Sequence, residues 1–313
     1  MSVAFISHPN CLLHNMGTTH PEQPARLQVI EDELIRCGLS EHLNYYQAPL
    51  ATKDQLQLVH DPDYIEFIFN ISPQKGLIPL DPDVWMNPHS LIAALHAAGA
   101  AVYGVDLVMK GDTKAAFCNV RPPGHHAERN KAMGFCFFNN VAVATAYALD
   151  FYKLQRIAIV DFDVHHGNGT ENIFQAEPRV LYCSSFEHPF YPFSGAETRN
   201  QHILNIPLAA GTTGEQFRAK VTEHWLEQIQ SFAPSLIFFS AGFDAYIDDD
   251  MADLRLTPND YLWITQKIKT IAERCCQGRM VSVLEGGYAL NGLGVCAAAH
   301  IRGLLEPVEL ATI

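Results

Sequence analysis

The chain has no Cys-x-x-Cys pair. Its eight cysteines are scattered through 313 residues, and the only adjacent ones, Cys275 and Cys276, would form a strained bridge. This removes the signature of a disulfide scaffold and leaves reduced thiols in a reducing compartment as the expectation. Cationic residues are few: 21 Lys and Arg stand against 34 Asp and Glu, a net charge of −13. A nucleic-acid partner is disfavoured, since the polyanion would be repelled. Acidity also attracts cationic ligands, but it is an ordinary route to solubility and decides little alone. No apolar stretch is expected to reach membrane-spanning length, and residues 1–8 lack the charged and apolar regions of a signal peptide. The expectation is a cytoplasmic protein without membrane contact. Repeats, low-complexity tracts and Gly/Ser linkers are absent too, so residues 1–313 read as one domain.

What is present is apolar mass in a regular rhythm. Hydrophobic residues make up 48% of the chain, enough for a large core. Short apolar runs at 3–6, 115–118, 157–160, 180–183, 236–239 and 280–284 read as buried strands. Helical patterns at 90–109, 139–152, 214–232, 258–275 and 290–304 alternate with them. That is the order of an α/β fold with a mostly parallel central sheet and helices on both faces. Segments 73–88 and 187–201 read as loops long enough to rim a pocket.

The segment Ile157-Ala158-Ile159-Val160-Asp161-Phe162-Asp163-Val164-His165-His166-Gly167-Asn168-Gly169 ends an apolar run in carboxylates and imidazoles. In an extended chain Asp161, Asp163 and His165 share one face, so a carboxylate and an imidazole two residues apart can grip one ion. The same letters also suit a strand end followed by a helix N-cap. In an open parallel sheet ligands sit beyond the carboxyl ends of strands, and three other runs end in polar clusters. These are Arg121-Pro122-Pro123-Gly124-His125-His126, Ser240-Ala241-Gly242-Phe243-Asp244 and Glu285-Gly286-Gly287-Tyr288. Asp163, His165 and Asp244 supply three N/O ligands, the number used by a catalytic zinc that keeps one position open. His125 and His126 are candidates for a general base, and Tyr288 for a donor to a developing oxyanion, although Gly-Gly-Tyr is also a common turn.

Together these motifs resemble the zinc-dependent histone deacetylase superfamily. The resemblance rests on Arg121 to Ala127, Gly134-Phe135-Cys136, Asp161 to Gly169, Ser240 to Asp244 and Leu284 to Tyr288. His20 to Arg26 and Val59 to Tyr64 resemble N-terminal signatures of the same family. It implies the arginase/deacetylase fold, zinc on Asp163, His165 and Asp244, and His126 as general base and later acid. His125 would be an electrostatic partner tuned by Asp161. The metal would polarise water and the amide carbonyl while Tyr288 holds the oxyanion. Phe135 would line an acyl-lysine tunnel, Gly134 would accept the substrate amide, Arg26 would serve an acid-release channel, and Asp83 would grip a peptide backbone at the rim. Backbone carbonyls around Asp161, Asp163 and His165, with the Ser184 hydroxyl, would hold K⁺ or Na⁺.

Departures narrow the subtype. Asn168 stands where class I members carry aspartate, a class II-like and bacterial feature that makes the relay behind His126 neutral. Tyr191 replaces a tunnel phenylalanine of many relatives. Met251 occupies the position where polyamine-specific relatives place glutamate, which weakens a polyamine substrate, although Asp248, Asp249 and Asp250 lie alongside. The expected substrates are acyl-lysine proteins or peptides, with acetylpolyamines and other small acylated amines as the alternative. A two-manganese site is disfavoured because Ala245 and Tyr246, not a second acid, follow Asp244. A zinc-bound acyl-ligand sensor without catalysis is a further alternative, against which the intact His125, His126 and Tyr288 argue.

Overall fold

A computed structural model describes residues 3–307. Its strands are β1 (Val3–Ser7), β2 (Leu43–Gln47), β3 (Ile78–Asp81), β4 (Val84–Met86), β5 (Ala115–Cys118), β6 (Ile157–Asp161), β7 (Val180–Glu187), β8 (Ile203–Leu208), β9 (Leu236–Ala241) and β10 (Met280–Leu284). All but β3 and β4 form one eight-stranded sheet in the order β2-β1-β5-β10-β9-β6-β7-β8. Every pairing in it is parallel.

The six apolar runs are all strands of this sheet. In β5, β6, β9 and β10 every residue is buried, as a strand covered on both faces requires. The sheet also contains two edge strands, β2 and β8, that the apolar runs do not reveal. β2 reads Leu-Asn-Tyr-Tyr-Gln with only Leu43 buried, because it has one neighbour and needs little apolar surface. Segment 73–88 is not a plain loop: it folds into the antiparallel hairpin β3–β4, whose turn carries Asp83.

The expected helices form as Ser90–Lys110, Asn140–Asp150, Pro258–Cys276 and Leu290–Leu305, and segment 214–232 is helical throughout with one π-turn at Thr222–Leu226. Helices Ala25–Arg36, Pro62–Ile71 and Asn168–Phe174 are additional. By length and hydropathy Ser90–Lys110 qualifies to cross a bilayer, which corrects the expectation that no stretch is long enough. Its Ala- and Val-rich surface is instead packed in the core.

Two helices show how the sheet is covered. A methyl on Gly104 of Ser90–Lys110 would meet the side chains of Ile6, Ala116 and Val281. His300 of Leu290–Leu305 meets Phe117 and Ser282, the next residues along β5 and β10. Successive strand side chains point to opposite faces, so the two helices lie on opposite sides of the sheet.

His300 is fully buried among Phe117, Phe162, Phe239 and Phe243. The Thr265 hydroxyl donates to the Tyr261 carbonyl at 2.6 Å and is left to accept from His300 Nδ1–H, while Ser282 Oγ donates to Nε2 at 2.8 Å. Burial pushes this imidazole down to about 3 from an ordinary 6.5. Below pH 6.5 the unfolded chain takes up a proton that the native chain refuses until about pH 3, so stability is lost as pH falls through that window. In urea denaturation from pH 7 to pH 4, His300→Gln is expected to flatten this slope by about 1.4 kcal/mol per pH unit. An unchanged slope would show that His300 does not carry it.

Candidate active site

The four polar clusters converge because β5, β10, β9 and β6 are consecutive in the sheet although far apart in the chain. Their carboxyl ends face the same way, so the loops after Cys118, Leu284, Ala241 and Asp161 meet above one edge. β6 stops at Asp161, and the segment carrying Asp163 and His165 is loop rather than strand.

Asp163, His165 and Asp244 are buried, with one ligand atom of each lying within 4.8 Å of the others. His165 Nδ1 is 3.1 Å from Asp163 Oδ1 and 3.2 Å from Asp244 Oδ2. Backbone amides hold the carboxylates in place: Gly286 N–H donates to Asp163 Oδ2 at 2.8 Å and Val164 N–H to Asp244 Oδ1 at 2.9 Å. Among the described residues Asp244 Oδ2 has, despite full burial, no donor beyond the poorly aligned His165 ring at 3.2 Å. A buried carboxylate oxygen held by so poorly aligned a donor is costly, and a cation satisfies it. Burial pushes Asp244 up to about 6, whereas Asp163, despite burial, is held low by His125 and His165. A divalent ion would keep both ionised. Only glycine fits at position 286, where a Cβ would collide with Asp244 Oδ2. Two carboxylates and one imidazole thus fit zinc with a fourth position open.

The histidine pair is held from behind. His125 Nδ1 lies 3.0 Å from Asp161 Oδ2, which also accepts from the Tyr182 hydroxyl at 2.8 Å. Burial opposes charge on His125, but Asp163 and Asp161 outweigh it and push the ring up to about 10. His126 Nδ1 lies 2.8 Å from Asn168 Oδ1. Burial, reinforced by His125 and His165, pushes His126 well below its ordinary value, so the ring is neutral, and no hydrogen bond reaches its Nε2 among the described residues. The Asn168 amide is oriented in turn, because its Nδ2 donates to Glu128 Oε1 at 2.8 Å. The chain of contacts behind His126 thus runs through the neutral Asn168 amide and ends on a carboxylate that the motifs do not reveal.

Glu285 is a second carboxylate that the motifs leave without a role. Buried, it accepts from Gly124 N–H at 2.6 Å, His125 N–H at 3.1 Å and Ser240 Oγ at 3.1 Å, tying the histidine loop to β9 and β10. The sequence marks it only as the first polar residue after the apolar run 280–284.

A cavity of about 210 Å³ opens onto this cluster, lined by Asp83, His126, Gly134, Phe135, His165, Phe190, Tyr191, Met251 and Tyr288. All five expected substrate-side residues are in that set, with Phe190 added. Asp83 Oδ1 accepts from Gly134 N–H at 3.2 Å, so the hairpin turn braces the cavity wall. Gly134 has φ +56°, and a Cβ there would strike the His126 ring. Tyr191 stands edge-on to His126 with ring centres 5.2 Å apart, and Phe135 likewise to Tyr288 at 5.8 Å. Burial pushes the Tyr288 phenol well above 10, keeping it a neutral donor.

Arg26 and Ser184 lie outside the cavity. Arg26 is fully buried beneath the Tyr288 loop, donating through Nε to the Gly287 carbonyl at 2.6 Å and through a terminal nitrogen to Glu22 at 3.0 Å, with its guanidinium 4.9 Å from the Tyr288 ring centre. Ser184 pairs with Asp161 in the β6–β7 register, and its hydroxyl is 3.1 Å from His166 Nδ1.

Comparison with known proteins identifies the family. The histone deacetylase domain family matches residues 20–304. An uncharacterized protein of Synechocystis sp. is 38% identical, with 97% of this chain and 99% of the relative covered. Polyamine deacetylase HDAC10 of Mus musculus is 37% identical over 97% of this chain, which spans 48% of that protein's length. The crystal structure of the HDA15 HD domain superposes with a TM-score of 0.91 at 33% identity, covering 97% of this chain and 90% of that one. The chain belongs to the histone deacetylase family and is a hydrolase of the deacetylase type.

Proposed function

We propose that the chain hydrolyses the side-chain amide of N-acyl-lysine in proteins or peptides, releasing the amine and acetate or another short acid. The carrying observation is the cavity, whose apolar walls Phe135, Phe190, Tyr191 and Met251 lead to His126, His165 and Tyr288. A neutral acyl-lysine stem suits such walls, whereas a charged lysine would lose its hydration. Zinc on Asp163, His165 and Asp244 supplies Lewis acidity toward water and the amide carbonyl. His126, with Nδ1 committed to Asn168, takes the proton of the attacking water at Nε2 and returns it to the departing amine. Tyr288 donates to the carbonyl oxygen as it gains charge. His125, paired with Asp161, keeps a positive charge beside the reacting centre. The Gly134 carbonyl, which among the described residues receives a thiol hydrogen bond from Cys136 and no other, accepts the substrate N–H. Asp83 faces the peptide at the mouth, and the Arg26 region receives the released acid. The proposal extends to K⁺ or Na⁺ near Asp161, Asp163, His165 and Ser184, and to a cytoplasmic location.

Acetylpolyamines are the second reading. It is favoured by the similarity to the mouse polyamine deacetylase and by the exposed Asp248 and Asp250 next to Met251. The apolar Met251 at the cavity favours the lysine reading instead.

Purified protein is expected to hold about one zinc per chain, to release acetate from an acetyl-lysine peptide, and to lose that activity on chelation and regain it with zinc. A panel crossing acyl length with acetyl-lysine peptides and acetylpolyamines, read against stripped protein, separates the two readings. Acyl-ligand binding without metal-dependent hydrolysis of any member would replace both with a sensor.

A further inference from the structure

The loop after Asp244 carries a carboxylate that the chemistry above does not use. Asp248, Asp249 and Asp250 are consecutive, yet only Asp249 turns inward: it is 4% exposed while its neighbours face solvent. A buried carboxylate must be held by donors. No Lys, Arg or His pairs with Asp249 among the described residues, and the donors are backbone amides. Its Oδ2 accepts from Tyr288 N–H at 2.6 Å and Ala289 N–H at 2.8 Å, and its Oδ1 from Met251 N–H at 3.0 Å.

Those three amides belong to two walls of the same cavity. Tyr288 and Ala289 immediately precede helix Leu290–Leu305, whose N-cap Ala289 offers no side-chain acceptor. The amides at a helix start need acceptors from elsewhere and favour a negative partner, which Asp249 supplies from a different loop. Met251 and Tyr288 both line the cavity. Tyr288 otherwise follows two glycines in a stretch without regular structure, the second with φ +117°, so its main chain has little intrinsic stiffness.

We propose that Asp249 is a positioning residue for the hydrolysis. One carboxylate fastens the Tyr288 main chain to the Met251 turn and thereby sets where the phenol hydroxyl meets the developing oxyanion. This rests on Tyr288 acting as the oxyanion donor.

The test is a double-mutant cycle on zinc-loaded protein with an acetyl-lysine peptide: wild type, Asp249→Ala, Tyr288→Phe and the double variant, each with zinc content and melting temperature recorded. In Asp249→Ala, kcat is expected to fall roughly tenfold to a hundredfold while KM and zinc content stay near wild type, since misplacing a reacting group by about 1 Å costs that much. In the Tyr288→Phe background the same substitution adds no further loss, because the group it positions is gone. Asp249→Asn, which keeps the side chain's size and one acceptor oxygen, gives a smaller fall and serves in the same cycle if the alanine variant does not fold. Equal losses in both backgrounds, or a loss that follows reduced zinc content, would overturn the proposal. Wild-type protein inactive on every amide overturns the hydrolase reading and this proposal together, whereas active wild type with unchanged kcat in Asp249→Ala overturns this proposal alone.

Discussion

Replacing His126 with alanine is expected to lower kcat on an acetyl-lysine peptide by about 10²–10⁴-fold, the usual contribution of a placed acid–base group. The prediction follows from a ring with one nitrogen occupied and the other free. Nδ1 is held by Asn168, which Glu128 orients, so Nε2 faces the cavity as the acceptor. Burial and the flanking histidines keep the ring neutral, the form a base requires. Zinc content should be unchanged, because His126 is outside the ligand triad. Tyr288→Phe is the companion variant: it keeps the ring that packs on Phe135 and removes only the hydroxyl, at an expected cost of about 10²–10³-fold in kcat. Steady-state kinetics with metal analysis decide both. Unchanged turnover in either variant would remove that residue from the mechanism.

The second large effect is on stability. Glu22 is fully buried, 0% exposed, and accepts from Arg121 at 2.6 Å and from Arg26 at 3.0 Å, with His14 Nε2 at 3.4 Å. Glu22→Gln would leave two buried guanidinium groups without a counter-charge, a situation that costs roughly 3–5 kcal/mol. Since domains are stable by only about 5–15 kcal/mol, a large drop in melting temperature is expected. The wild type should show the matching pH dependence. Burial opposes ionisation of Glu22, but Arg121, His14 and Arg26 hold its carboxyl well below the usual range. Stability from this group is therefore complete above the unfolded carboxyl value of about 4.3 and is lost as pH falls below it. Urea denaturation at pH 7 and pH 4 measures both effects, and equal midpoints for wild type and Glu22→Gln at pH 7 would refute the assignment. Activity should fall with stability, because Arg26 also holds the Gly287 carbonyl next to Tyr288.

The central strands were legible because a strand buried on both faces must be continuously apolar, as Ala115–Cys118 and Leu236–Ala241 are. The edge strand Leu43–Gln47 was not, since one neighbour and a wet face free its composition. The hairpin spanning 78–86 was hidden by its prolines and aspartates, which serve as turn residues and strand residues at once. The ligand and base candidates were legible because each stands in the polar segment that follows an apolar run. The supporting roles of Glu128, Asp249 and Glu285 were not. Glu128 meets Asn168, Asp249 meets Tyr288 and Glu285 meets Gly124, pairings that only the folded chain creates.

By itself, then, the sequence determined the chemistry on offer: six buried strands, two carboxylates and an imidazole for a metal, a histidine pair and a phenol. These are local properties, fixed by side-chain type and by alternation along a strand. The tertiary structure decided which of them meet. The order β5-β10-β9-β6 brings the loops carrying His125, Glu285, Asp244 and Asp163 to one edge. Only there do buried carboxylates such as Asp249, Glu285 and Glu22 find the donors that make their burial possible, because a hydrogen bond or ion pair depends on distance in space and not on separation along the chain.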